Sequence, residues 1–149
     1  MKKIYNGQAS YNSKEINACL KVLKKQSLSL MTGEKVKMLE KKIASLFGKK
    51  YALMVNSGSS ANLLAIQSLN LKKKSEVITP TLTFSTTISP IYQSGLIPNF
   101  IDVKKDTFVA DVEQIEKQIN KNTKIILIPN LIGNIANWDK INKLAKKYK

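Results

Sequence analysis

An α/β fold, three layers deep with a mostly parallel sheet, is what this 149-residue sequence predicts, and three observations predict it. Short apolar strands alternate with helix-like segments from Tyr51 onward, the order in which crossover helices cover both faces of a parallel sheet. Two of those strands, Val77-Ile78 and Ile125-Ile126-Leu127-Ile128, are continuous apolar runs, the pattern of strands buried on both sides. The segments between strand and helix are short and rich in Gly, Ser, Thr and Asn, which is the turn chemistry such units need.

Each element follows in order. Asn12 and Glu15 form a capping-box start, and Ile16, Cys19, Leu20 and Leu23 recur at helical spacing, so an amphipathic helix is expected near residues 13–26. Gln26 to Leu30 reads as a connector. Thr32-Gly33-Glu34 opens a second helix with Val36, Leu39, Ile43 and Leu46 on one face and Gly48 as its stop. Tyr51–Val55 is a predicted strand, followed by a Gly/Ser turn and a helical run over Ser60–Leu69. A second strand is expected at Glu76–Thr79. Phe84–Gln93 is helical in pattern, with Pro90 marking a kink or a local start and Gly95 the end. Ile97–Val103 is a third strand; Asp111 and Gln114 cap a helix carrying Val112, Ile115 and Ile119; Lys124–Ile128 is a fourth strand. Trp138, Ile141, Leu144, Ala145 and Tyr148 open a last helix. The βα rhythm calls for a further strand after Lys149, so the domain is expected to be incomplete at its C-terminus.

Composition removes several chemistries. The 25 basic residues are all Lys, set against 10 acidic ones for a net charge of +15, and the chain has no His. Histidine general bases, Ser-His-Asp or Cys-His nucleophiles, and His-ligated zinc or haem are therefore excluded within this chain. One cysteine, Cys19, allows no internal disulfide and no cysteine-rich metal site, which fits a reducing compartment. No apolar run nears the roughly 20 residues that cross a bilayer. Met1-Lys2-Lys3 is followed by polar Asn6, Gln8 and Ser10 rather than a signal-peptide stretch, so the expected location is cytoplasmic. The charge invites a nucleic-acid reading, but arginine, the residue that grips guanine and phosphate bidentately, is absent. The lysines lie along helix faces and in turns such as Lys72-Lys73-Lys74, beside abundant Asn and Ile, a pattern of genome-wide codon bias. Neither nucleic acid nor membrane is an expected partner, and no metal is expected.

Chemistry concentrates in Val55-Asn56-Ser57-Gly58-Ser59-Ser60-Ala61-Asn62-Leu63-Leu64, a small-residue turn opening a helix. Ligands in α/β sheets collect beyond the carboxyl ends of strands, where a helix N-terminus offers free N–H groups and a positive dipole end. Gly58 lets a phosphate approach the backbone, while Ser59 and Ser60 supply N–H and hydroxyl donors. The same residues also suit plain helix capping. The stretch is neither a P-loop nor a dinucleotide fingerprint, since it lacks Gly-Lys-Ser/Thr and the further glycines.

Five segments occur in order: Thr32-Gly33, Ser57-Gly58-Ser59-Ser60-Ala61, Thr79-Pro80-Thr81-Leu82-Thr83-Phe84, Gly95–Asp102 and Ile128–Asn134. Together they resemble the DegT-like nucleotide-sugar aminotransferases, pyridoxal-phosphate enzymes of the aspartate-aminotransferase fold type, over nearly the whole chain. The resemblance implies a cofactor, pyridoxal 5'-phosphate or pyridoxamine 5'-phosphate, with its phosphate at Gly58, Ser59 and Ser60 and its ring stacked on Phe84. Offset stacking on an aromatic ring would fix the pyridine and keep water from one face. Asn130 and Asn134 are candidate substrate contacts. The implied fold is the large cofactor-binding domain of that family. Residues 1–149 would supply its N-terminal segment and first part, with the rest and the small C-terminal domain elsewhere.

Two departures narrow the resemblance. Many family members carry Thr-Ala after the phosphate-loop glycine and a His-Leu-Tyr-Gly-Gln type sequence where this chain has Asn130-Leu131-Ile132-Gly133-Asn134. The turn at Ser57–Leu64, Gly95-Leu96-Ile97-Pro98 and Leu131–Asn134 look more like the 4-keto-6-deoxysugar 3-dehydrases of lipopolysaccharide sugar synthesis. That subgroup uses pyridoxamine phosphate and replaces the family's catalytic Lys by His. The implied partners are a nucleotide-linked keto-sugar and a second copy of the chain in a homodimer, with Thr32-Gly33 near that interface. The implied reaction is transamination or C3 dehydration. The Asp that pairs with the pyridine nitrogen and the Lys or His that moves the proton are expected after Lys149, so this chain alone is expected to be inactive. The alternative is a non-catalytic Lys-rich binding module or inactive fragment.

Overall fold

Asn12 starts the first helix as its spacing predicts. In the computed structural model, which describes residues 7, 9–25 and 30–148, Asn12 Oδ1 accepts the Lys14 N–H at 2.9 Å and Glu15 returns the bond by accepting the Asn12 N–H at 2.7 Å. That backbone bond holds the Glu15 carboxyl below its usual range. Met1–Lys3, Asn6 and Gln8, the connector apart from Leu30, and Lys149 lie outside the described residues. Helix α1 (Ser13–Lys24) and helix α2 (Glu34–Leu46) belong to a first unit, Met1–Met54, distinct from a second, Val55–Lys149. Gly48, at φ +60°, ends α2 in the left-handed conformation that glycine adopts without penalty. The apolar face of these helices is present but not buried. Ile16, Leu20 and Leu23 on α1 and Leu39, Ile43 and Leu46 on α2 are all at least 40% exposed, and Ala44 is the buried residue of the pair. Among the described residues of this unit no third helix or strand closes over their apolar stripes.

Tyr51–Val55 departs from expectation, because it pairs with no strand among the described residues. A strand needs a hydrogen-bonded neighbour, and the Met54 N–H goes instead to the Glu40 carboxylate at 2.9 Å. Tyr51 and Leu53 are 77% and 75% exposed.

The second unit is an α/β sandwich. Helix α3 (Gly58–Ser68) leads to strand β1 (Glu76–Pro80), then helix α4 (Ser85–Gln93), strand β2 (Ile97–Ile101), helix α5 (Val112–Gln118), strand β3 (Thr123–Ile126), a 3₁₀ turn at Leu131–Gly133 and helix α6 (Trp138–Lys147). The strands are parallel in the order β2-β1-β3, with Val77 beside Pro98 and Ile125, and Ile78 beside Asn99 and Ile126. Successive residues of a strand face opposite sides, and the two cores follow that rule. Val77 packs with Ile66, Ile91 and Leu96 under α3 and α4, whereas Ile78 packs with Ile101, Ile115, Ile141 and Leu144 under α5 and α6. This is the three-layer arrangement the alternating pattern predicts. Val77 and Ile78 are fully buried. In the run Ile125–Ile128, by contrast, only Ile128 is buried and the other three are half-buried, since β3 lies at the edge of the described sheet.

At the N-terminal ends of the strands, Glu76 accepts from Asn99 Nδ2 at 3.0 Å and Asn120 Nδ2 at 2.8 Å, tying β1 to β2 and to the turn before β3. Gln114 Oε1 accepts the Asp102 N–H at 2.9 Å, and Asp111 caps α5. Lys147 and Tyr148 both donate to Glu116 Oε1, at 2.7 and 3.3 Å, joining α6 to α5. The Lys147 ammonium holds the Glu116 carboxyl below its ordinary range. Exposed pairs of this kind add little stability; the central strand carries it. Ile78→Ala is expected to destabilise the fold by about 3 kcal/mol, and Leu23→Ala by under about 1 kcal/mol, in urea unfolding. Equal losses at the two positions would contradict this division.

Candidate functional site

Helices α3 and α4 run side by side in the same direction. Asn62, in the second turn of α3, donates from Nδ2 to the Thr86 carbonyl in the first turn of α4 at 3.3 Å. At their other ends Ile66 and Gln67 share a small cavity with Ser94 and Leu96. The Asn62 bond has a local cause. Pro90 has no N–H to give to the carbonyl four residues earlier, and that carbonyl is Thr86's, so Asn62 supplies the missing donor. Pro90 therefore sits inside α4, buried, with the helix continuing to Gln93. The sequence placed a kink or a start there; a side chain from the neighbouring helix makes an unbroken helix tolerable.

Because α4 follows the carboxyl end of β1, the N-termini of both helices lie at that edge of the sheet. Ser57 caps α3, its Oγ accepting the Ser60 N–H at 3.1 Å. The N–H groups of Gly58 and Ser59 have no partner among the described residues. A Cβ built on Gly58 meets nothing within 4 Å. Phe84 is the first residue before α4; it is extended, caps nothing with its side chain and is 70% exposed. The Ser85 and Thr86 N–H groups likewise have no partner among the described residues. Thr83 Oγ1 donates to Thr87 Oγ1 at 2.9 Å. Thr79 shares the Val77 face of β1, is fully buried, and its hydroxyl has no hydrogen-bond partner among the described residues.

Gly58, Ser59, Ser60 and Phe84 are thus brought to one edge. Unpaired N–H groups at the positive end of an 11-residue helix suit an anion, and an exposed aromatic residue at the same edge suits a flat heterocycle. The donor set fits a phosphorylated aromatic cofactor. Among the described residues no three His, Cys, Asp or Glu side chains group to hold a metal, and no helix is long and apolar enough to cross a membrane.

Asn130 and Asn134 follow β3, flanking a tight turn in which Ile132 and Gly133 have positive φ. Their amides are engaged in the loop. Asn130 Oδ1 accepts from the Ala136 N–H and from Trp138 Nε1, each at 3.2 Å, and Asn134 Nδ2 donates to the Thr107 carbonyl at 2.8 Å. Sequence reasoning missed Asn62 and the side-chain roles of Asn56 and Ser57. The signal for Asn62 was an amide in the middle of a helix, beside the apolar run Leu63–Ile66 and close in sequence to a helix containing proline.

Residues 9–149 match the DegT/DnrJ/EryC1/StrS aminotransferase family. The chain is 39% identical to a GDP-4-keto-6-deoxy-D-mannose 3-dehydratase of Yersinia pseudotuberculosis, over 93% of this chain and 36% of that protein. The solved Escherichia coli GDP-4-keto-6-deoxy-D-mannose-3-dehydratase with bound hydrated PLP superposes with a TM-score of 0.85 at 39% identity, over 93% of this chain and 37% of that one. An aminotransferase from Psychrobacter cryohalolentis superposes at 0.86 with 29% identity, over 97% and 37%. The chain spans little more than a third of the length of these relatives.

Trp138 is the one tryptophan of the chain and reports on the Asn130 turn. Asn130→Ala is expected to shift its fluorescence and to cost about 1 kcal/mol, the worth of the lost bonds at an exposed site. Unaltered emission would mean that Asn130 does not hold the turn.

Proposed function

We propose a function that starts from one fact: the chain belongs to the DegT/DnrJ/EryC1/StrS aminotransferase family. Residues 1–149 form the N-terminal segment and first part of the cofactor-binding large domain of a sugar-modifying enzyme. The enzyme acts on a nucleotide-linked 4-keto-6-deoxysugar, removes the oxygen at C3 and serves cell-surface polysaccharide or lipopolysaccharide synthesis. Pyridoxamine or pyridoxal 5'-phosphate is its cofactor. The observation that carries the reading is the juxtaposition of the unpaired Gly58 and Ser59 N–H groups with exposed Phe84 at one edge of the sheet. The 39% identity to a 3-dehydratase, against 29% to an aminotransferase, supports dehydration over transamination.

The residues take distinct parts. Gly58 and Ser59 bind the phosphate through N–H groups that need no reorganisation, and Ser60 adds a hydroxyl. Phe84 orients the ring and shields one face from water. When bound, the cofactor supplies an electron sink that makes bonds next to a carbonyl-derived carbon easy to break. The Asp that keeps the ring nitrogen protonated and the Lys or His that moves the proton belong to parts of the enzyme outside these residues. Asn130 and Asn134 present to substrate whatever their loop bonds leave open: the Asn130 amide nitrogen and the Asn134 amide oxygen. Two copies assemble as a homodimer, in the cytoplasm.

The deciding experiment supplies the whole protein with pyridoxal phosphate, glutamate and a nucleotide-linked 4-keto-6-deoxysugar, with mass spectrometry of the sugar. A product lacking the C3 oxygen is expected. An amino group at the keto carbon would move the reading to transamination, and an unaltered sugar would overturn it. Gly58→Ala meets no steric conflict in the fold, so stability is expected to stay within about 1 kcal/mol while cofactor affinity falls. Phe84→Ala, at an exposed position, is expected to act likewise. If either variant unfolded the protein while the folded fraction kept full affinity, the residue would be structural.

A further inference from the structure

The turn before α3 holds a hydrogen-bond circuit with more members than phosphate binding requires. The Ser60 hydroxyl donates to Asn56 Oδ1 at 2.7 Å, the Ser57 hydroxyl reaches Ser60 Oγ at 3.1 Å and Asn56 Oδ1 at 3.5 Å, and the Ser60 N–H donates to Ser57 Oγ at 3.1 Å. Each hydroxyl has one proton. With Ser60 bonded to Asn56, the Ser57 proton takes the shorter path to Ser60, and both hydroxyl protons are used inside the turn. An arriving anion then meets the Gly58 and Ser59 N–H groups but no hydroxyl donor.

The longer contact supplies the exit. If Ser60 turns its proton outward, Asn56 Oδ1 loses a donor and the Ser57 hydroxyl, already 3.5 Å away, can replace it. Asn56 Oδ1 and Ser57 Oγ keep a donor in both arrangements, and the Ser60 oxygen gives up the Ser57 bond as its own proton turns to the anion. Trading an amide acceptor for a phosphate oxygen gains strength for the Ser60 bond, because a charged acceptor makes a hydrogen bond roughly twice as strong. A neutral amide is the right holder for such an exchange. A carboxylate would keep the hydroxyl and repel the anion, and an apolar side chain would leave the rotamer unset.

We propose that Asn56 is a positioning residue of the phosphate-binding turn, holding the Ser60 hydroxyl through Oδ1 when the anion is absent and the Ser57 hydroxyl when Ser60 turns to the anion. The proposal rests on the phosphate site of the function proposed above, and its role is confined to the phosphate-dependent part of cofactor affinity.

The test compares equilibrium binding of pyridoxal 5'-phosphate and of pyridoxal, which lacks the phosphate, to the whole protein and to Asn56→Ala, Ser60→Ala and the double variant. The ratio of the two affinities is expected to fall roughly three- to tenfold in Ser60→Ala, the worth of one hydrogen bond, and to rise in Asn56→Ala, which frees the Ser60 hydroxyl from the acceptor that competes with the anion. The double variant should match Ser60→Ala alone, the mark of a residue that acts only through Ser60. Asn56→Asp, close to the native amide in shape, is expected to lower the ratio at least about tenfold by adding charge beside the anion. Additive single effects, an unaltered ratio in Asn56→Asp, or equal loss of both ligands would overturn the positioning role. A native protein that shows no preference for the phosphorylated ligand would instead overturn the phosphate site itself.

Discussion

The constraint on which the second unit depends is the burial of β1 between two parallel neighbours and two helical layers. Val77 and Ile78 are both completely removed from water, on opposite faces. A strand in that position has to be apolar without interruption, and it forces the chain to cross over after each strand, since parallel neighbours cannot be joined by hairpins. The crossovers put α4 on one face and α5 on the other. Their N-termini and turns then fall at the carboxyl edge, where backbone N–H groups are left over. The site chemistry follows from the burial of two side chains in the middle of the sheet.

The same logic shows what could be read from the residues. Local signals worked where one short-range bond decides the outcome: Asn12 with Glu15, Gly48, Gly95 and Asp111 each mark the helix end their chemistry implies. The apolar runs of β1 and β3 named the sheet, and the small residues Gly58–Ser60 named the edge where an anion can sit. What stayed hidden depends on partners remote in sequence. Tyr51–Val55 has the composition of a strand but pairs with no strand among the described residues. The apolar stripes of α1 and α2 have the right period but stay exposed among the described residues. Pro90 reads as a break because the donor that rescues its helix comes from Asn62, 28 positions away by residue number. Periodicity records which face is apolar; it does not record what covers it.

Charge has less to do with the architecture than the excess of lysine suggests. The two ion pairs among the described residues, Lys25–Glu34 and Lys147–Glu116, are exposed, and such pairs are worth little. The polar ties that bear on the fold are neutral or shared: Glu76 with two asparagines, Gln114 with the Asp102 N–H, Asn62 with Thr86 and Asn130 with Trp138. Asparagine and glutamine have both a donor and an acceptor on a short stem, so one side chain can complete a strand end, a helix interior or a turn. A lysine-rich, asparagine-rich chain therefore places its lysines in solvent and its amides at the joints.

Pro80 connects the sheet to the site. Its last pairing is with β2, where the ladder continues through the Thr81 N–H to the Ile101 carbonyl at 2.9 Å, whereas the ladder with β3 ends at the Leu127 N–H bonded to the Ile78 carbonyl at 2.8 Å. Backbone groups of a strand alternate between neighbours, so the nitrogen of Pro80 faces β3, and it has no proton to give. β1 and β3 part at that residue for want of the next rung. The strand order makes this gap informative. The chain moves from β1 to β2 on one side and then to β3 on the other, so β1 and β3 flank the point where the winding reverses, and α/β sheets bind ligands in the crevice such a reversal opens. A proline that would weaken a central strand elsewhere is placed where separation of two strands exposes the carboxyl edge. Thr79 lies just before the parting and Thr81–Phe84 lead from it into α4, so the position of Phe84 is set by the place where β1 loses its partner.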